Sequence, residues 1–438
     1  MPSVCSIFER ISKWRSRRDR YARQHTQKTA MTMIDDGKRI NVLYCEGNTD
    51  GTVGGSFFSL LYLVSGLDKT KYNPIVVFHN EHPLLPQYHA AGIQTLIIPA
   101  YKPAIYGVGQ VPRCITWLAH PCRDIFQKAV NFSQGFVGRA LHYARLLREL
   151  NIDIVHLNNS IVRNNDWMLG AMLARVPCIT HERGINKHYP LIARLLGKRL
   201  KAIVCISNAV RDNLKDHSID TGNLVTIYNA IDPRVVSVTT EASDILQRQN
   251  ITPGARIVGV VGNIKFWKGQ ETMIRALPLI LRDAPDLVCL LVGDTAPADQ
   301  AYHDHLLKLA GELGVTKNIR FTGYTRNVAD FINVMEVVVH TSVEPEPFGR
   351  VLIEAMAMSK PVVGARGGAV TEIIEEGKTG LTFTPGDPSS LAEMIRRLLL
   401  SPETTVTMGR NGRERLDSEF DIRTNVRKTQ EIYDMVLG

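Results

Sequence analysis

From residue 40 onward, short β-branched apolar runs alternate with stretches whose apolar residues recur at helical spacing. Such runs read as strands buried on both faces, the habit of parallel sheets. Strands are predicted at 40–45, 75–78, 95–98, 154–156, 178–180, 202–205 and 225–227. Helical patterns fall between most of them, for example at 57–67, 136–150 and 208–215. The pattern breaks after Asp232-Pro233, through the polar stretch 237–250. It restarts with strands at 257–261, 288–292, 319–321, 337–340, 361–364 and 380–383. The intervening helices are expected at 271–281, 302–313, 351–359, 369–376 and 391–400, followed by two closing helices at 403–418 and 423–436.

Strand–helix alternation of this kind is the signature of βαβ units. The expected fold is therefore α/β, with two doubly wound, Rossmann-like parallel-sheet domains facing a cleft. We assign 40–233 to the first domain and 234–419 to the second, and expect the last helix, about 420–438, to pack back on the first. Ligands of such sheets bind beyond the carboxyl ends of the strands, so the natural site is the cleft. The segment 101–134 mixes Pro, Gly and apolar residues such as Trp117 and Phe126 and reads as an excursion near the cleft mouth.

Composition narrows the class. A chain of 438 residues with 44% hydrophobic and 22% charged positions is expected to be a soluble protein of two or three domains. No run approaches the roughly 18 apolar residues of a membrane span, and no apolar signal segment opens the chain. A cytoplasmic location is expected. The seven cysteines lack C-x-x-C spacing and read as free thiols, without a disulfide or zinc framework. Of the net charge of +9, two thirds sits in residues 1–39, where ten Lys/Arg face four Asp/Glu. That arm is a solvated tail or a peripheral contact with an anionic membrane through Ile7, Phe8, Ile11 and Trp14. Nucleic acid is not an expected partner.

Glu354 is the one charge in the apolar octet Val351-Leu352-Ile353-Glu354-Ala355-Met356-Ala357-Met358. A carboxylate on a largely buried helix costs stability unless the fold or a ligand partners it. Glu346 precedes it in Glu344-Pro345-Glu346-Pro347-Phe348-Gly349-Arg350, where the prolines enforce an extended approach to the helix start. Unpaired amides at that start would suit an anion. In the second domain's first turn, Gly262-Asn263-Ile264-Lys265-Phe266-Trp267-Lys268-Gly269, a strand end and two lysines precede a helix, an arrangement suited to phosphate. The dinucleotide and Walker fingerprints are absent. In the first domain, Gly54-Gly55 follow the first strand, and His181-Glu182-Arg183 directly follow another. His181 is the functional candidate of that tract, while His156 reads as structural. No Asp-x-Asp pair and no zinc spacing occur, so a metal-free mechanism is expected.

Over nearly all of residues 40–438, these motifs resemble the retaining family 4 glycosyltransferases of the GT-B fold. The resemblance rests on Glu346 and Glu354 in E-x7-E spacing with Phe348-Gly349. It extends to Gly54-Gly55, Ile206-Ser207-Asn208-Ala209-Val210, Tyr228-Asn229-Ala230-Ile231-Asp232, Lys268-Gly269, Leu291-Val292-Gly293-Asp294 and Gly367-Gly368. It implies that Glu354 holds the ribose of a UDP- or GDP-sugar donor. Glu346 and the Phe348-Gly349 backbone would hold the sugar, with Lys268 on the diphosphate and His181 beside the sugar. Gly54-Gly55 would line the diphosphate and acceptor side, and Gly262 the donor loop. The implied acceptor is a glycan or lipid-linked saccharide in surface polysaccharide or glycolipid assembly, with no cofactor. Asn263 departs from the family's frequent Arg, leaving Lys265 or Arg350 to compensate. A sugar-nucleotide epimerase and a nucleotide-sugar-binding protein without turnover are the alternative readings.

Overall fold

The computed structural model describes residues 39–48, 54–100, 128, 131–219 and 222–438. The basic arm, most of the 101–134 segment, Thr52, Val53 and the cysteines at 5, 114 and 122 lie outside the described residues.

Two sheets organise the chain. The first comprises β1 (Ile40–Cys45), β2 (Tyr72–Phe78), β3 (Gln94–Ile97), β4 (Ile154–Leu157), β5 (Cys178–Glu182), β6 (Ala202–Cys205) and β7 (Leu224–Thr226), ordered β3-β2-β1-β4-β5-β6-β7. The second comprises β8 (Ile257–Val261), β9 (Val288–Val292), β10 (Ile319–Gly323), β11 (Val337–His340), β12 (Val362–Ala365) and β13 (Gly380–Phe383), ordered β10-β9-β8-β11-β12-β13. Every neighbouring pair is parallel. The expected class of two doubly wound α/β units is the one observed.

Alternate residues of one strand feed different apolar clusters. Val42 and Tyr44 of β1 join one cluster and Leu43 and Cys45 another, so both faces of the sheet are covered. This is why the strands read as continuous apolar runs rather than alternating ones. Among the described residues no helix is long and apolar enough to cross a membrane.

Strand order reverses between β1 and β4 in the first sheet and between β8 and β11 in the second. Loops leaving the two flanking strands diverge at such a point and open a crevice. Four helices set the geometry around these crevices: α1 (Gly55–Gly66), α2 (Asn208–Asp216), α3 (Arg350–Ala357) and α4 (Ile422–Leu437).

Two elements differ from expectation, each for a local reason. The strand expected at 75–78 begins at Tyr72 and runs through Pro74. Proline is tolerated there because β3 pairs only with Ile75–Phe78, leaving no neighbour on that side to miss its N–H. The helix expected at 369–376 shrinks to Val370–Ile373. Beyond it the chain turns, and the Glu376 carboxylate accepts from the Thr382 amide at 2.9 Å.

α4 covers the face of the first sheet that carries Tyr44, His156 and His181. Its Tyr433 is fully buried and its Oη hydrogen-bonds both Tyr44 Oη and, at 2.6 Å, His156 Nδ1. His156 Nε2 in turn meets His181 Nδ1 at 2.6 Å. Removing the shared hydroxyl would strand buried polar atoms at the centre of this chain. Tyr433→Phe is therefore expected to lower unfolding free energy by about 1–3 kcal/mol, read from urea denaturation. An unchanged midpoint would show that the hydroxyls are satisfied otherwise.

Candidate active site

The loops at the carboxyl ends of both sheets meet around a cavity of about 440 Å³. Its first-sheet wall carries Gly55, Ser56, Asn159, Arg183 and Asn229, and its second-sheet wall Gly262, Lys268 and the segment Glu346 to Val351 with Glu354. The volume suits a ligand of nucleotide size. Both strand-order reversals contribute, through the loops after β1, β4, β8 and β11.

Glu346 is the most constrained acid on this wall. Its Oε2 accepts from Lys268 Nζ at 2.8 Å, from Ser342 Oγ at 2.9 Å and from His340 Nε2 at 3.1 Å. Burial works to raise its pKa, but the His340 hydrogen bond and the Lys268 charge outweigh it. They hold the carboxyl well below the usual range. Glu346 is thus ionised at any physiological pH. His340 Nδ1 is buried without a partner among the described residues, so the ring meets Glu346 through Nε2 alone.

Glu354 lies on α3, where Arg350 Nη2 reaches its Oε1 at 3.0 Å. Arg350 Nη1 also donates to the Gly55 carbonyl at 3.1 Å, joining the second-sheet wall to the first. Its Nε is buried with no partner among the described residues. α3 starts on the cavity wall at Gly349, whose φ of 88° is left-handed, and no side chain caps it. First-turn amides without a side-chain cap are available to an anion.

The Glu346 loop is propped from behind. Gly368 has φ of 54°, and a Cβ there would lie 2.2 Å from the Glu346 carbonyl oxygen. The same oxygen accepts from the Ala369 amide at 2.9 Å.

Other predicted site residues lie elsewhere. His181 is 1% exposed and does not line the cavity. It shares the α4-covered face of β5 with Ile179, and burial, with lesser help from the Arg183 charge, lowers its pKa well below the usual value. It stands behind the wall as a neutral ring. Lys265 reaches toward Asp299 at 3.9 Å instead of the cavity. Asn263 is exposed and offers its carbonyl to Gln270 Nε2 at 3.0 Å. Gly54 precedes α1 with open space around it, and Gly55 alone of that pair reaches the cavity. Of the two residues expected to compensate for Asn263, Arg350 is therefore the one at the site.

Arg183 was not singled out by the sequence pattern, yet it lines the cavity from the loop after β5. A charged residue immediately after a fully buried strand was the signal available. Its guanidinium is held by neutral oxygens: Nε donates to the Asn158 carbonyl at 2.8 Å, Nη2 to Asn158 Oδ1 at 2.8 Å, and Nη1 to Asn229 Oδ1 at 2.9 Å. Burial pulls its pKa down to about 10, so it stays charged at neutral pH. Among the described residues no group of three or more His, Cys, Asp or Glu is placed to hold a metal ion.

The profile described as "Glycosyl transferases group 1" matches residues 242–415, and that described as "Glycosyltransferase Family 4" matches 53–235. The chain is 31% identical over 331 residues to D-inositol 3-phosphate glycosyltransferase of Corynebacterium efficiens, covering 69% of this chain and 76% of that protein. The chain belongs to the GT-B glycosyltransferases. This glycosyltransferase is also 23% identical over 281 residues to the lipopolysaccharide core biosynthesis mannosyltransferase LpcC of Rhizobium leguminosarum, covering 63% of the chain and 77% of the relative. In fold it is similar to Anabaena HepE, solved in complex with UDP-glucose, with a TM-score of 0.72 and 22% identity over 91% of the chain and 100% of HepE.

Gly368→Ala tests the prop behind the Glu346 loop. A left-handed backbone and a Cβ against the Glu346 carbonyl should together cost at least about 1–2 kcal/mol of stability. Ligand affinity at the cavity should fall with it, as read by calorimetry. Unaltered stability and affinity would show that the loop has slack.

Proposed function

We propose that this glycosyltransferase moves a sugar, with retention at the anomeric carbon and without a metal ion, from a UDP- or GDP-sugar to a glycan or lipid-linked saccharide. Surface polysaccharide or glycolipid assembly is the setting this reading favours, and the relationship to a lipopolysaccharide mannosyltransferase supports it. The observation that carries the reading is the pairing of Glu346 with Lys268 and of Glu354 with Arg350 on one wall of a cavity between two sheets.

In this reading Glu354 accepts hydrogen bonds from the ribose. Lys268, Arg350 and the first amides of α3 receive the diphosphate. As the bond between the anomeric carbon and the diphosphate oxygen breaks, its electron pair stays on that oxygen, and these groups stabilise the growing charge. Losing one such contact typically costs about 100- to 1000-fold in rate. The acceptor oxygen bonds to the anomeric carbon on the face the diphosphate leaves, which retains configuration, and its proton passes to the departing phosphate oxygen. Glu346, locked as a carboxylate, orients the sugar and offsets the positive charge that develops on the ring. His181 lies one layer back and orients neighbours rather than touching the sugar. In this reading Lys268, Arg350 and the α3 helix start supply the positive charge that a metal would otherwise bring to the diphosphate.

The test is donor use. Wild-type protein supplied with separate UDP- and GDP-sugars and an acceptor extract should release one of the two nucleotides, and should do so in excess chelator. Absence of binding and release with every donor would remove the reading, and loss of turnover on chelation would remove its metal-free part. Lys268→Ala should lower kcat by about 100-fold or more with little change in donor affinity. Glu354→Ala should mainly weaken donor binding, by about 10-fold or more, through loss of charge-assisted hydrogen bonds. Wild-type kinetics in both variants would place the donor elsewhere.

A further inference from the structure

Among the described residues three cations line the cavity, and they are not equivalent. Lys268 contacts Glu346 and Arg350 contacts Glu354, so two of them are matched by a carboxylate at 2.8 Å and 3.0 Å. Arg183 has no carboxylate in contact among the described residues; its acceptors are a backbone carbonyl and two amide oxygens. A guanidinium carries five N–H donors, and these contacts leave one on each terminal nitrogen without an acceptor among the described residues.

The carboxylate whose charge acts on it is Glu46, fully buried just after β1. Glu46 is already engaged: its Oε2 accepts from Asn158 Nδ2 at 2.6 Å, and Oε1 from Asn159 Nδ2, from the Asn48 amide at 3.3 Å and from Ser56 Oγ at 3.4 Å. Asn158 therefore stands between acid and base, giving its amide hydrogen to Glu46 and its oxygen to Arg183. The arrangement fixes the guanidinium plane without neutralising it by contact. Asn229, also on the cavity wall, fixes the other end.

Position separates Arg183 from the groups assigned to the donor. Glu346, Glu354, Lys268 and Arg350 all rise from the second sheet, whereas Arg183, Asn158 and Asn229 belong to the loops after β5, β4 and β7 of the first. A ligand lodged against the second-sheet wall leaves this cation facing whatever enters along the first.

We infer that Arg183 forms an anion subsite on the acceptor side of the cavity, so that the acceptor carries a phosphate or a carboxylate beside the hydroxyl that is glycosylated. The inference rests on the donor assignment proposed above. Arg183 receives the anion through its two remaining N–H groups, in the two-pronged geometry that suits planar or tetrahedral oxyanions. That contact sets the acceptor's register in the cleft and discriminates against uncharged sugars.

The experiment uses full-length protein saturated with UDP, or with GDP if that is the nucleotide bound. It is titrated with inorganic phosphate, glucose 1-phosphate, glucuronate and uncharged glucose, with binding read by calorimetry and thermal shift. At least one anion should bind about 10-fold or more tighter than glucose, and the ranking of glucose 1-phosphate against glucuronate tells phosphate from carboxylate. Arg183→Gln should abolish that preference. Asn229→Asp, which puts a carboxylate of unchanged size against the guanidinium, should abolish it as well while keeping the fold, checked by circular dichroism. Glucose binding as tightly as the anions would overturn the subsite. So would anion binding that disappears as UDP fills the protein, or a parallel loss of UDP affinity in Arg183→Gln, since either would assign Arg183 to the diphosphate. Failure of wild type to bind any nucleotide would strike the donor reading instead, and the phosphate titration of nucleotide-free wild type against Arg183→Gln would still decide what Arg183 holds.

Discussion

A largely buried side-chain carboxylate that stays charged is the constraint around which the second sheet is arranged. Burial alone would raise the pKa of Glu346, and the fold opposes this by surrounding it with Lys268 from the loop after β8, His340 at the end of β11 and Ser342 just beyond. Those donors come from the two strands at which the sheet order reverses. Satisfying one acid thus ties together the two loops that would otherwise diverge there. The energy spent on holding Glu346 ionised is what gives the cavity a fixed wall.

The first sheet contributes stiffness of a different kind. Its wall is organised by amides: Asn158 and Asn159 after β4, and Asn229 after β7, hold Glu46 and Arg183 apart and in place. An amide can donate on one side and accept on the other, so it can join an acid to a base without merging their charges. The two walls meet through Arg350, which bonds Glu354 beside it and the Gly55 carbonyl opposite. They meet again where the Glu372 carboxylate accepts from the Asn208 and Ala209 amides at 2.8 and 2.7 Å, capping α2 from the second sheet's side. An acid at a helix N-terminus also meets a favourable dipole.

Much of this was legible in the chain. Apolar runs bounded by turn residues located the strands, because strands covered on both faces have little else to be made of. Glu354 stood out as a lone charge in an apolar helix, and Glu346 through its flanking prolines; both line the cavity. What could not be read was direction. His181 ends a strand near the cleft, but the pleat turns it toward Tyr433, some 250 residues away in sequence. Lys265 and Lys268 sit in one loop, yet Lys265 reaches Asp299 while Lys268 reaches Glu346. Arg183 was hidden for the same reason: its importance lies in which neighbours are neutral, and sequence spacing does not report neighbours. Asn263 drew attention by chemistry alone, and its side-chain identity matters less because it does not reach the cavity.

The chain passes from one sheet to the other after β7 and returns before α4, and the two crossings lie side by side. Ile231 donates to the Phe420 carbonyl at 3.1 Å and accepts from the Ile422 amide at 3.0 Å, a two-bond ladder laid over the junction. Paired ribbons at a joint resist shear and twist far more than they resist folding. A relative motion of the halves would turn about this joint, and it would make or break the contact between Arg350 and the Gly55 carbonyl.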